Sequence, residues 1–545
     1  MNLRSALPVI VLLLSAGAAA AQGSGKSAGP GASLKMLKTR PERTNYAETS
    51  RYDDVMEFLR VVAAASPHVH TTTFGYSFEG RPLPLAVVGK VKDASPEAVK
   101  ATGKTRIYIQ GDIHAGEVEG KEACLEILRA IALGQHAAWV DSTVLLVGPI
   151  YNPDGNDRVN LTNRPGQNGP IGGMGQRATA QNYDLNRDFT KLDAPESRSL
   201  VRMLTLYDPH VAIDLHTADG TAHAYHMTYA PPLHPSTAPG VTDLLRKELL
   251  PAVTKAIKAK DSWDIYYYGN LPFGRQGSGV EHAWYTTDPA PRYSANYWGL
   301  RNRLGILSET FAYLTFEERI KISRRFVEEV CGFVVQHGEE IRKVTADADR
   351  QSIVGQEIAL LTKAVKSAEP VEILMGEVTA ERNPYTGLMM RRRLEVQKPE
   401  KMYEYTSFEA SETTRAPRAY LVPPALRFVV DRLEAHGVRL SKLDQRMTIK
   451  MEQFRIASSA TVGREYQGHK ARTITGQWEP AEQSIPAGTL VVPVEQPLGR
   501  LIVLLLEPRS EDGLAAWNLM DEVLEKEKPQ IYPVLRTSES LSGAR

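Results

Sequence analysis

Hydrophobic and polar positions follow two different patterns along the chain. From residue 46 to about residue 344, short apolar runs alternate with amphipathic stretches, which is typical of an α/β sheet covered by helices. The apolar runs predict strands at 105–110, 142–149, 210–216 and 304–308, after an edge hairpin within 71–89. The amphipathic stretches predict helices at 53–65, 117–133, 195–206, 241–258 and 316–344.

After residue 344 the pattern changes to segments in which apolar and polar positions alternate. These segments predict strands at 418–422, 446–456, 473–478, 489–494 and 500–505, with helices at 424–436 and 512–526. A second, mainly β domain is the simplest interpretation. We therefore expect an α/β domain over 45–348 and a β-rich C-terminal domain over 349–545, and we predict that the latter packs against the former as support.

The first residues have the features of a secretory signal peptide. Arg4 is followed by an apolar run from Leu7 to Leu14 and by small residues up to Ala21. The run is too short to span a bilayer, although an uncleaved N-terminal anchor is an alternative. We predict a signal peptide over 1–21, a flexible lead-in over 22–44, and a secreted or periplasmic mature protein without a stable membrane anchor.

The composition limits the kinds of molecule that the protein could bind. The 545 residues are 42% hydrophobic and 24% charged, as in ordinary globular proteins, and the formal net charge is +1. Such a balance gives no basic surplus for phosphate backbones, so we expect no nucleic-acid partner. The two cysteines, Cys124 and Cys331, are too few for a disulfide framework; they form either one disulfide or two buried thiols, and we favour thiols.

Three residues of metal-ligating type occur where predicted strands end. His114 and Glu117 follow the first buried strand, three residues apart, and His216 ends another strand. Two imidazoles and one carboxylate would leave the fourth position of a tetrahedral zinc ion open for water, as in a hydrolytic site. The His-x-x-Glu spacing alone is a weak signal, because isolated histidines at strand ends are common.

A second motif strengthens the zinc hypothesis. The segment Asp184-Leu185-Asn186-Arg187 follows Arg177, and Glu309 ends the strand predicted at 304–308. In these elements and their order the chain resembles the zinc carboxypeptidases related to carboxypeptidase A. The resemblance covers roughly residues 45–345 and implies their fold, a mixed central sheet flanked by helices.

The resemblance also implies roles for the metal-binding half of the site. His114, Glu117 and His216 would hold one Zn²⁺ ion, and Asp184 would orient a ligand histidine through its other ring nitrogen. Glu309 would be the general base that takes a proton from the activated water. Burial beside an apolar strand would suit that role, because desolvation raises a carboxyl pKa.

For the substrate-binding half, the resemblance implies three further residues. Arg177 would stabilise the developing oxyanion, and Asn186 and Arg187 would bind the C-terminal carboxylate of the substrate. The family also uses a tyrosine on a loop upstream of the base. Tyr285, Tyr293 and Tyr297 all compete for this position, and we favour Tyr285 because it follows a tryptophan 24 positions before Glu309.

The hypothesis that best accounts for these residues is a zinc metallocarboxypeptidase acting on peptides with a free C-terminal carboxylate. An amidohydrolase on the same scaffold, cleaving N-acyl amino acids or cell-wall peptides, is the nearest alternative. A non-catalytic binding module is less compatible with an intact Glu309. The sequence leaves the preferred terminal side chain, the physiological substrate and the oligomeric state open.

Overall fold

The computed structural model describes residues 34–272, 279–526 and 531–541. The predicted signal peptide over 1–21 lies outside these ranges. The predicted lead-in enters them at Leu34, which is buried, and continues through the helix Arg40–Arg43. Glu42 of this helix forms an ion pair with Arg129, with 2.6 Å between Arg129 Nη1 and Glu42 Oε2. The segment from residue 34 to 44 is thus folded and not a flexible lead-in, because the Gly/Ser/Ala-rich composition ends near residue 33.

A central eight-stranded sheet organises the first part of the chain. Its strands are β1 (Val69–Tyr76), β2 (Pro82–Val88), β3 (Thr105–Gly111), β4 (Thr143–Gly148), β5 (Val211–Ala218), β6 (Met227–Ala230), β7 (Ile265–Tyr267) and β8 (Leu304–Phe311). All residues of β3 and β4 are buried, as expected of strands covered on both faces. The four predicted strands and the edge hairpin are all present, each shifted by a few residues at most.

The strand order is β1-β2-β4-β3-β5-β8-β6-β7. β4, β3, β5 and β8 run parallel, whereas β1–β2, β2–β4 and β8–β6 are antiparallel pairs. The sheet is therefore mixed, and the predicted α/β fold is confirmed. The carboxyl ends of β3, β5 and β8 meet at one edge, where loops can bring side chains together.

Helices cover both faces of this sheet. One face packs against the helices Tyr52–Ala65, Glu119–Ala132, Leu250–Asp261 and Phe316–Arg350, and the other against Pro195–Tyr207 and Ser294–Leu300. Shorter helices are Pro96–Ala101, Ala137–Ser142, Pro153–Asp157 and Pro239–Asp243, with a 3₁₀ turn at Leu185–Arg187. The helix predicted over 241–258 is divided, because a π-helical segment, Leu244–Leu249, separates Pro239–Asp243 from Leu250–Asp261.

The C-terminal part is rich in strands. Its six-stranded sheet contains β9 (Ala419–Val422), β10 (Ser441–Lys442), β11 (Met447–Thr461), β12 (Arg472–Ile485), β13 (Leu490–Pro493) and β14 (Leu535–Thr537). Two-stranded pairs precede it: Glu357–Val365 with Ser407–Arg415, Val371–Met375 with Lys398–Met402, and Val378–Arg382 with Met389–Arg393. Glu404–Tyr405 pairs with Trp284–Tyr285 of the first part.

Two predictions for the C-terminal part are wrong. Residues 500–505, predicted as a strand, belong to the helix Gly499–Leu506. All its residues are buried, so the apolar run has no polar face to reveal its helical period. The helix predicted over 512–526 forms only at Asp521–Lys526, because turns occupy the residues before it. The helix predicted over 424–436 is observed as Arg427–Ala435.

The two parts share one hydrophobic core. A single cluster contains Tyr108 and Ala212 of the central sheet together with Tyr420 and the helix Gly499–Leu506. The boundary predicted at residue 348 therefore crosses continuous packing, and the domain division stays a prediction. Cys124 and Cys331 are both buried free thiols. No helix in the described ranges is both long and apolar enough to cross a membrane.

Candidate metal and substrate site

The sheet brings the three predicted metal ligands to one edge. His114 and Glu117 lie in the loop between β3 and the helix Glu119–Ala132, and His216 lies near the end of β5. Their ligand atoms all lie within 4.8 Å of one another, and all three residues are buried. Glu309 of β8 is the register partner of His216 in the neighbouring parallel strand. Residues that are far apart in the sequence thus meet in one place.

The ligand atoms face one another in a way that suits a metal ion. His114 Nδ1 lies 3.1 Å from Glu117 Oε1, and His216 Nδ1 lies 2.9 Å from Glu117 Oε2. Both imidazoles therefore direct the same type of nitrogen towards one carboxylate. Two histidine nitrogens and a carboxylate form a donor set that zinc prefers, so the residues present fit this ion.

The outward ring nitrogens of both histidines are held by carboxylates. His114 Nε2 lies 2.9 Å from Asp184 Oδ1, and His216 Nε2 lies 2.9 Å from Asp214 Oδ2. Such partners fix the ring orientation and leave Nδ1 free to bind a metal. Asp214 is absent from the sequence-based predictions. Its position two residues before His216 could have suggested this contact, because residues two apart on a strand lie on the same face of the sheet.

Two arginines form ion pairs with Glu117. Arg164 Nη2 lies 2.5 Å from Glu117 Oε1, and Arg177 Nη1 lies 3.4 Å from the same oxygen. Gly116 leaves room for Arg164, since a Cβ added at this glycine would lie 3.0 Å from Arg164 Cγ. Although burial acts to raise it, the pKa of Glu117 is held well below its usual range by His114 and Arg164. Arg164 was not predicted from the sequence.

The predicted oxyanion residue, Arg177, lies beside the metal ligands. Its Nε donates a hydrogen bond of 2.9 Å to Asp184 Oδ2. Although burial acts to raise it, the pKa of Asp184 is held well below its usual range by His114 and Arg177. The guanidinium of Arg177 is therefore aligned by a carboxylate that remains ionised.

The predicted substrate-binding residues, Asn186 and Arg187, both line the same cavity. Asn186 Oδ1 accepts a hydrogen bond of 2.9 Å from the Ser294 backbone N–H, and Asn186 Nδ2 lies 3.4 Å from His216 Nε2. The guanidinium carbon of Arg187 lies 4.3 Å from the centre of the Tyr293 ring. Asn186 thus has internal partners, whereas Arg187 is stacked on an aromatic face.

The cavity has a volume of about 240 Å³ and contains every predicted metal ligand. Glu309 opens onto it, and burial raises the pKa of this carboxyl to about 8. Beyond the charged residues, the lining includes Ala230, Ala295 and Leu307, which form a small apolar cluster of their own. The site thus has three parts. The metal end contains His114, Glu117 and His216, the cationic end contains Arg177 and Arg187, and the apolar surface contains Ala230, Ala295 and Leu307.

The three candidate tyrosines occupy different environments. Tyr293 lines the cavity, and Tyr297 is fully buried with its hydroxyl 2.8 Å from His436 Nδ1. Tyr285, which we favoured, is not among the lining residues; its ring stacks on Tyr405 at a centroid distance of 4.5 Å. Tyr268, which the sequence did not suggest, also lines the cavity. The geometry therefore favours Tyr293 or Tyr268 over Tyr285.

Comparison with known proteins bears directly on this site. Residues 55–219 match the family model described as zinc carboxypeptidase, Peptidase M14. This stretch of the chain is therefore similar to zinc carboxypeptidases. The matched residues include His114, Glu117 and His216, whereas Glu309 lies beyond them. The resemblance found in the sequence is confirmed, and so is the class of enzyme, a metallopeptidase.

Relatives extend the similarity past the zinc carboxypeptidase match. Carboxypeptidase 2 of Trichophyton tonsurans is 24% identical over 503 residues, which are 89% of this chain and 86% of that protein. Carboxypeptidase Z of Gallus gallus is 34% identical over 155 residues, 27% of this chain and 22% of that protein. A metallo-carboxypeptidase structure from Burkholderia cenocepacia aligns with a TM-score of 0.39 and 17% identity, over 52% of this chain and 69% of that one.

Proposed function

We propose that the protein is a zinc-dependent metallocarboxypeptidase that removes C-terminal residues from peptides. One observation carries the proposal: His114, Glu117 and His216 direct three ligand atoms to one point in a cavity that also contains Glu309 and Arg187. A purely structural metal site would not need a base or a carboxylate-binding group beside it. A non-catalytic module is therefore the weaker interpretation.

One bound Zn²⁺ ion would lower the pKa of a water molecule and polarise the scissile carbonyl. Glu309 would accept a proton from the attacking water and return it to the leaving amine. Its position beside His216, as the register partner across the β5–β8 pair, supports this role. Arg177 would stabilise the negative charge that develops on the carbonyl oxygen.

The cationic end would make the enzyme an exopeptidase. Arg187 carries the planar donor pair that matches a carboxylate, and Asn186 lies next to it in the cavity lining. A substrate bound through its terminal carboxylate would present its last peptide bond to the metal end. Internal peptide bonds lack such a carboxylate and would not be positioned.

We further propose that the terminal side chain is apolar. Ala230, Ala295 and Leu307 form the apolar part of the lining, and Tyr268 packs against them. The polar neighbours are already engaged: Ser294 Oγ donates to Asp214, and Asn296 Oδ1 accepts from the Leu233 backbone N–H. A charged terminal side chain packed against these three residues would have no partner among them, which is costly. Because the Asp219 carboxylate also lines the cavity, a peptide ending in Lys is the stringent test of this proposal.

The remaining predictions complete the proposal. We propose one zinc ion per chain, an α/β catalytic domain over 45–348 with a β-rich domain over 349–545, and action outside the cytoplasm after removal of residues 1–21. The family match to zinc carboxypeptidases supports the choice of metal. The strand-rich structure after residue 350 supports the domain division.

The variant Glu309→Gln tests the proposed base. We expect it to keep zinc but to lose turnover by roughly 10²- to 10⁴-fold, the usual contribution of general acid–base catalysis. Metal analysis and peptide hydrolysis are measured on the same preparation. Glu434→Gln, at an exposed position of the helix Arg427–Ala435, is the matched control. Unchanged hydrolysis in Glu309→Gln would refute the assignment.

A substrate panel separates the carboxypeptidase from an amidohydrolase. N-blocked dipeptides ending in Leu, Phe, Lys or Glu are compared with N-acyl amino acids. We expect the Leu and Phe peptides to give values of kcat/KM at least about tenfold above the charged ones. Preferential cleavage of the acyl amino acids would favour the amidohydrolase, and a preference for Lys or Glu would contradict the apolar surface.

A further inference from the structure

The hairpin β11–β12 of the C-terminal part ends in a tight turn. Tyr466 and His469 exchange backbone hydrogen bonds of 2.8 and 3.0 Å, which leaves Gln467 and Gly468 as the two central residues. Both have a positive φ, +52° at Gln467 and +78° at Gly468. This is the conformation of a type I′ turn, the two-residue connection that matches the twist of paired strands. The turn therefore holds its side chains in defined directions.

The turn lies against the zinc carboxypeptidase domain. A Cβ added at Gly468 would lie 3.2 Å from Tyr183 Cε1, so the turn backbone closely approaches the residue before Asp184. His469 Nε2 lies 2.7 Å from Asp193 Oδ2, and its Nδ1 lies 2.5 Å from Asn518 Oδ1. One side of the turn is thus fixed by packing and the other by an ion pair.

Two side chains of the turn contact functional residues. Gln467 Oε1 accepts a hydrogen bond of 2.8 Å from the backbone N–H of Asp184, whose carboxylate holds His114. The Tyr466 hydroxyl accepts a hydrogen bond of 3.1 Å from Nε of Arg187. The hairpin therefore reaches both ends of the site, at the metal through Asp184 and at the cationic end through Arg187.

The contacts of Arg187 show what the Tyr466 hydroxyl adds. Nη1 donates a hydrogen bond of 2.8 Å to the Asn186 carbonyl, and the guanidinium lies over the Tyr293 ring. These two contacts, together with an ion pair of 3.8 Å between Nη1 and Asp184 Oδ2, fix one edge and one face of the guanidinium plane. The Tyr466 hydroxyl holds Nε of Arg187. This contact restricts rotation of the guanidinium group, so that its plane keeps one orientation.

We propose that Tyr466 is a positioning residue that orients Arg187 for the substrate carboxylate, so that the C-terminal part of the chain completes the binding site. This inference rests on the proposed function, in which Arg187 binds that carboxylate. A guanidinium held in advance loses less conformational entropy when it forms a two-point contact with a carboxylate. The effect belongs to binding of the free carboxylate and not to the chemical step.

The test compares the wild type with Tyr466→Phe in the full-length protein. Phenylalanine keeps the ring that stacks on Trp517, with 6.3 Å between ring centres, and removes only the hydroxyl. Tyr385→Phe is the matched control, because Tyr385 is an exposed tyrosine in the turn of another hairpin, between Val378–Arg382 and Met389–Arg393. Thermal unfolding of all three proteins verifies that each is folded.

The main measurement is calorimetric binding of N-acetyl-leucine, which has a free carboxylate, and of its amide. For Tyr466→Phe we expect the Kd for N-acetyl-leucine to rise roughly three- to tenfold, as for the loss of one hydrogen bond. The Kd for the amide should not change, and neither should any value for Tyr385→Phe. Equal carboxylate affinity in Tyr466→Phe and wild type would overturn the inference.

Steady-state kinetics on an N-blocked dipeptide provide a second readout. We expect KM to rise by a similar factor in Tyr466→Phe while kcat stays at the wild-type value. A loss confined to kcat would contradict a positioning role at the carboxylate. Failure of the proposed function has a different signature, because the wild type would then cleave no N-blocked dipeptide, and hydrolysis of N-acetyl-leucine itself would identify the amidohydrolase.

Discussion

The two ends of the cavity are held by different kinds of interaction. At the metal end, His114, Glu117 and His216 are no more than 3% exposed, and buried carboxylates hold the outward nitrogens of both imidazoles. At the cationic end, the side chains of Arg177 and Arg187 are 39% and 20% exposed. The metal end is thus buried, and charged partners on several elements hold it. The cationic end is more exposed: Asp184 holds Arg177, whereas the Asn186 carbonyl, the Tyr293 ring and the Tyr466 hydroxyl hold Arg187.

This difference predicts two kinds of mutational response. Removing a ligand or its carboxylate partner at the metal end changes zinc affinity, because the neighbouring groups cannot rearrange in a buried site. Changing the proposed carboxylate-binding residue Arg187 at the cationic end should alter KM by limited factors, because solvent and neighbouring donors replace part of a lost contact.

The variant His216→Ala should lose both zinc and activity. Only two ligands would remain, and the Nδ1 donor of β5 has no substitute in the cavity lining. Metal content by elemental analysis and peptide hydrolysis are measured together, and we expect turnover to fall to background. His282→Ala, at an exposed histidine, should retain both. Stoichiometric zinc in His216→Ala would show that zinc binding at the metal end does not depend on this histidine.

The variant Asp214→Asn should weaken zinc binding about 10- to 100-fold, the usual cost of losing such a partner. The substitution keeps the shape of the side chain but removes the charge that orients His216 through Nε2. Competition with a fluorescent chelator measures the affinity. Asp347→Asn, at an exposed aspartate, is the control. If Asp214→Asn bound zinc as tightly as the wild type, the carboxylate would have no orienting role.

The variant Arg187→Lys should raise KM about tenfold and leave kcat nearly unchanged. Lysine retains the charge but lacks the planar pair of donors and the stacking surface that faces Tyr293. Steady-state kinetics on N-blocked dipeptides give both constants. Arg60→Lys, at an exposed site, should behave as the wild type. A fall in kcat at constant KM would show that Arg187 serves the chemical step instead.

The smallest expected effect is a displacement of the pH profile. As the proposed base, Glu309 would act only as the carboxylate, so we expect activity to be lost as pH falls through its pKa. Burial raises this pKa from the ordinary value of 4.5 to about 8, and a bound zinc ion lowers it again by its charge. The acid limb of kcat/KM should therefore lie between these two values. Full activity down to pH 4.5 would argue against a buried base.

Much of the fold was predictable because its strands are short apolar runs with clear limits. The runs at 105–110 and 304–308 predicted β3 and β8, which carry His114 and Glu309 to the same edge. The strand predicted at 500–505 was wrong for the opposite reason, because this segment is a helix. A helix that is buried on all sides has no polar face, and its period is invisible in the pattern of residues.

The site was predictable where its residues form local motifs and not where they meet across the fold. The His-x-x-Glu and Asp-x-Asn-Arg motifs pointed to the metal and cationic ends. Arg164 and Tyr466 join the site only through tertiary contacts, to Glu117 and Arg187 respectively. No spacing in the sequence encodes such contacts, and the same holds for the choice between Tyr285 and the tyrosines that line the cavity.

Whether zinc drives hydrolysis is decided by the metal content of the purified mature protein, measured together with its carboxypeptidase activity before and after chelation. We expect close to one zinc ion per chain, loss of peptide hydrolysis when the ion is removed, and recovery when Zn²⁺ is added back. A protein that contains no zinc as purified and binds none, or one that hydrolyses C-terminal peptide bonds at the same rate after its metal is removed, would contradict it.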